Sequence, residues 1–64
     1  MSLILTPNIS DPDGFYAELI GAQRDLSEEE SLRVSARLVL LLANHVGDRA
    51  VLSEAIRLAR SPAG

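Results

Sequence analysis

Cysteine is absent from this 64-residue chain, and tryptophan and lysine are absent with it. Without cysteine there is no disulfide to staple a small fold and no thiolate for a structural zinc. The one histidine, His45, makes no ligand set by itself, so neither a metal nor any other cofactor is expected. Chains this short bury only about 60% of the surface their unfolded forms expose. Disulfides, a metal or association with another chain are the usual remedies. With the first two lacking, association remains.

Positive charge is also scarce. Six Arg stand against nine Asp plus Glu, a net charge of −3. That is the wrong sign for coating nucleic acid or an anionic membrane. No apolar run approaches the roughly 20 residues that span a bilayer. No basic stretch precedes the N-terminal aliphatics, as a secretory signal would require. A soluble, cytoplasmic protein is expected, and the use of Arg alone with many Ala and Leu suits a GC-rich bacterial genome.

What the chain does have is aliphatic surface. Leu38-Val39-Leu40-Leu41-Leu42-Ala43 is unbroken. At about 100° per residue, Val34, Leu38, Leu41 and Leu42 share one face of a helix. Ala36, Leu40 and Ala43 share a second, nearly opposite one. Only a strip from Glu30 through Arg33 and Arg37 to Asn44 is polar. A helix apolar almost all round is normally buried on every side. Two short neighbours could cover one side, and the other calls for a second chain.

Three helices are expected, over residues of about 11–24, 27–46 and 48–60. Ser10-Asp11-Pro12-Asp13 supplies a cap, a first-turn proline and acids at the positive end of the dipole. Ser27 with Glu30 matches the capping box. Gly47 suits a left-handed C-terminal turn, and Asp48 caps the third helix. Gly14 and Gly21, inside the first helix, mark either close backbone contact or plain tolerance. Residues 1–9 form an apolar arm interrupted by Pro7, and 61–64 a loose tail. The expected fold is all-α, a single domain built as a three-helix open bundle with the central helix in the middle, and oligomeric.

Chemistry has little to stand on. His45, Asn44 and Asp48 form one polar cluster, which as a general base would need His45 oriented by Asp48. A histidine completing the core at the negative end of a helix dipole is the stronger reading. Glu28, Glu29 and Glu30 point about 100° apart and cannot converge on one cation; capping and the dipole account for them. Residues 39–58 carry some features of a helix-turn-helix, with Arg49, Arg57 and Arg60 outward. Asp48 and Ser53 fall where that motif prefers apolar residues. No catalytic residue is expected.

The Ala36, Leu40 and Ala43 face is the strongest candidate site. Two small residues flanking a leucine let another helix approach closely, at a crossing angle of about +20°. Arg33, Arg37 and Asn44 would form its polar rim. Leu3 and Leu5 of the arm would add to the contact, unless the arm or the first helix covers the face within the same chain.

Asp11-Pro12-Asp13-Gly14-Phe15-Tyr16, Leu26-Ser27 and the segment Ala36 to Asp48 carry a likeness. The chain resembles a family of short bacterial proteins described only as a domain of unknown function. Its pattern has an SDPDxFY helix start, an ARLxLLLANHxGD central segment and a VLxEAL-like third helix. The likeness runs from about Leu5 to Arg60, and Ile56 stands where the pattern often has Leu. The resemblance implies no established activity. It does imply a setting beside flavin-dependent oxygenases and other enzymes of aromatic degradation, and so an accessory subunit. Arg37, Asn44 and Asp48 are spaced to line one side of the helix end, which suits capping and partner contact alike.

The expectation is therefore a non-catalytic interaction module whose partner is itself or a larger protein. The alternative is a helix-turn-helix regulator, although a nucleic-acid partner is disfavoured.

Overall fold

The computed structural model describes residues 2–62, so Met1 of the expected arm and Ala63 and Gly64 of the expected tail lie outside it. Three helices follow in order: α1 (Pro12–Ala22), α2 (Glu28–Val46) and α3 (Arg49–Arg60). No strand occurs among the described residues. The fold is all-α.

Each helix begins where its cap predicts. Asp11 takes a left-handed backbone, φ 50°, which its short polar side chain tolerates, and its Oδ1 accepts from the Gly14 N–H at 3.2 Å. At α2 the capping box is complete. The Glu30 N–H donates to Ser27 Oγ at 3.1 Å and the Ser27 N–H to Glu30 Oε1 at 2.9 Å. Asp48 Oδ1 accepts from both Ala50 and Val51, at 3.0 and 3.2 Å. Gly47 closes α2 at φ 75°, with its N–H on the Ala43 carbonyl at 2.9 Å.

The first helix is shorter than the expected 11–24. The Gln23 and Arg24 N–H groups donate to the carbonyls of Ile20 and Gly21, three residues back. That tightens the chain out of α geometry, and Asp25 at φ 65° then turns it toward α2.

The larger departure is burial. Val51 is the one buried hydrophobic residue among those described, at 7% exposure. Leu19, Val34 and Leu38 are half-buried, whereas Leu41 and Leu42 of the same α2 face are exposed. The two neighbouring helices thus cover less of α2 than expected. His45, expected to complete the core, is exposed because that core does not form around the end of α2. The arm likewise leaves its aliphatics in water. Leu3 is half-buried, but Ile4, Leu5 and Ile9 are exposed along a shallow depression that ends at Pro12.

The chain's accessible surface is 5865 Å². A folded monomer of 6.9 kDa exposes about 4,000 Å², so roughly 1,900 Å² is surplus by that scaling. The radius of gyration agrees, 13.4 Å against about 11 Å for a compact chain of this length.

Candidate interaction surface

Two apolar grooves flank α2. One lies between α1 and α2, where Phe15, Leu19 and Ala22 face Val34 and Leu38 across an opening of about 230 Å³. The arrangement follows from the wheel: Val34 and Leu38 share the face that α1 meets. The other groove is wider, about 460 Å³, between α2 and α3. Val39, Leu40, Ala43 and Val46 form its α2 wall, and Leu52 and Ile56 its α3 wall. The short Gly47-Asp48 turn is what sets these walls facing each other. Asp48 holds the first turn of α3 while Gly47 reverses the chain, and Val51 is buried at the corner. Arg49 is the one charged residue lining this groove.

The expected interface residues fall partly into this groove. Leu40 and Ala43 line it; Leu40 is 69% exposed and Ala43 half-buried. Ala36 lies further toward the start of α2 and is exposed. Neither the arm nor α1 covers Leu40. Arg37 and Asn44 sit with Leu40 and Leu41 around a shallow depression beside the groove, and Arg33 is exposed one turn before Arg37. Leu3 and Leu5 line neither groove.

The α3 contribution was missed from sequence. Leu52 and Ile56 stand four residues apart, a spacing that does put them on one helix face. Nothing in the sequence said that this face would open toward α2 rather than close on it.

Electrostatics around the surface are mild. The hydrogen bonds from Ser27, backbone first and hydroxyl second, hold the Glu30 carboxyl below the usual carboxylate range. Glu54 and Arg57 approach to 3.8 Å on the exposed side of α3, a pair worth little in water. Among the described residues no group of His, Cys, Asp and Glu is placed to hold a metal, and no helix is long and apolar enough to cross a membrane.

An all-helical chain with an open apolar groove and almost no core is the class the geometry defines. The chain belongs to the family described as protein of unknown function DUF2783, which it matches over residues 3–61. No curated protein and no solved structure matches it.

Proposed function

We propose that this protein is a non-catalytic protein–protein interaction module. It docks the α2–α3 face on another polypeptide, either a second copy or a larger enzyme to which it is an accessory subunit. One observation carries the reading. Val51 alone is buried among the described hydrophobic residues, while Val39, Leu40 and Ile56 of that face each stand about two-thirds exposed. Burying one large aliphatic side chain is worth about 1.5–3 kcal/mol, so the stability this chain lacks is available at that face. For the larger enzyme, the family resemblance brings forward a flavin-dependent oxygenase of aromatic degradation.

The test is Leu40→Asp. It is expected to abolish assembly, read as solution mass by light scattering, and to lower the helical signal in circular dichroism. Ser53→Asp, on the exposed side of α3, is expected to change neither. If Leu40→Asp leaves mass and helicity untouched, the α2–α3 face is not the interface.

A helix-turn-helix regulator is the second reading, favoured by the exposed Arg49, Arg57 and Arg60 of α3. The net charge of −3 weighs against it. It predicts retention on duplex DNA that falls steeply with salt and is lost when those arginines are replaced.

A further inference from the structure

We infer that the occupant of the α2–α3 face is a second copy of this chain, its α2 running antiparallel to the first about a two-fold axis. This rests on the interaction-module reading above and names the partner for that surface.

The first argument is area. The surplus of roughly 1,900 Å² over the folded-monomer scaling, summed over the arm and both grooves, falls within the range of about 1,000–2,500 Å² per chain that obligate homodimers bury. A standard-sized contact takes only about 800 Å² from each side, so the area calls for a permanent partner, and the pattern and charge of α2 choose which.

The second is the pattern along the exposed face. Glu29, Leu32, Ala36, Val39, Ala43 and Val46 recur at alternate spacings of three and four through the whole of α2. That is one seam of a two-helix coil, in which the places seven apart hold Glu29, Ala36 and Ala43. Antiparallel pairing at full overlap sets Leu32 against Ala43 and Ala36 against Val39 of the other copy. Every small residue then meets a large one, and the layers fill evenly. Parallel pairing would set alanine on alanine and leave gaps, which cost stability in proportion to their volume.

The third is charge. Parallel helices would bring the Glu28-Glu29-Glu30 clusters of both copies together at one end. Antiparallel helices carry Glu29 to the other copy's α2 C-terminus, where the dipole is negative but Arg49, the first residue of α3 after the Gly47-Asp48 turn, lines the groove. The opening between α2 and α3 then receives the first turns of the second copy's α2, with Leu32 seated on Ala43 and flanked by Leu52 and Ile56.

The absence of native cysteine makes the pairing directly readable. Leu32→Cys, Ala43→Cys and the double variant are oxidised gently at low concentration, with the unmodified chain weighed by light scattering and melted by circular dichroism. Positions 32 and 43 lie about 16 Å apart along one helix, so they cannot bridge within a chain. The expected result is a mass of two chains, a reducible covalent dimer from the double variant, and none from either single variant. Covalent dimer from the single variants would mean parallel helices and would overturn the proposal, as would a two-chain mass with no bridging in the double variant. Any mass other than two chains also overturns it. A single-chain mass with a cooperative melt would sink the interaction-module reading as well; a single-chain mass without one sinks only the choice of partner.

Discussion

Gly14 and Gly21 lie two turns apart on one face of α1 and answer differently to the same substitution. A Cβ at Gly14 would collide with the Asp11 carboxylate, the group that caps the helix, whereas one at Gly21 would meet nothing within 4 Å. The two readings open for these glycines therefore divide: close approach at Gly14, plain tolerance at Gly21. Replacing a helical glycine by alanine is worth up to about 1 kcal/mol, and losing an aspartate cap costs about as much. Gly21→Ala is thus expected to raise the thermal midpoint, and Gly14→Ala to leave it nearly unchanged, both by circular dichroism. A Gly14 variant that gains as much as the Gly21 variant would mean the Asp11 cap contributes nothing.

At the scale of the element, each helix start was legible because capping is a local matter. Ser27 and Glu30 stand three positions apart and need only the first turn of the helix to meet. The end of α1 was not, since whether Gln23 and Arg24 continue the helix or tighten depends on where Asp25 must aim the chain. The capping box also carries a pH dependence. Glu30 is lowered from 4.5 by its hydrogen bonds to Ser27, so its ionised form is favoured in the folded helix. The stabilisation is present above 4.5 and is lost as pH falls through the lower folded value. Glu30→Gln keeps an acceptor for the Ser27 N–H but does not titrate. It is expected to remove that step from the acid dependence of α2 helicity, while Ser27→Ala returns the Glu30 titration, followed by NMR, toward 4.5.

For the whole molecule, stability belongs, on the interaction-module reading proposed above, to the assembly rather than to the chain. With Val51 alone buried among the described hydrophobic residues, little apolar area offsets the conformational entropy that three ordered helices give up. A partner that binds only the folded form raises stability with its own concentration. The thermal midpoint of the pure protein is therefore expected to climb over a hundredfold concentration series. A midpoint that does not move would show that the single chain supplies its own core.

The helical class, the three helix starts, the left-handed turn at Gly47 and the surplus of aliphatic surface were determined by the sequence alone. All of them rest on interactions within a few residues, or on composition. Only the tertiary structure decided that Leu52 and Ile56 would face Val39 and Ala43 across an open groove, that Leu41 and His45 would stay in solvent, and that the arm would leave Leu40 uncovered. Those outcomes depend on how helices of fixed length sit on turns of fixed geometry. A pattern of apolar residues specifies which face seeks cover, but not how much cover two neighbours of eleven and twelve residues can reach.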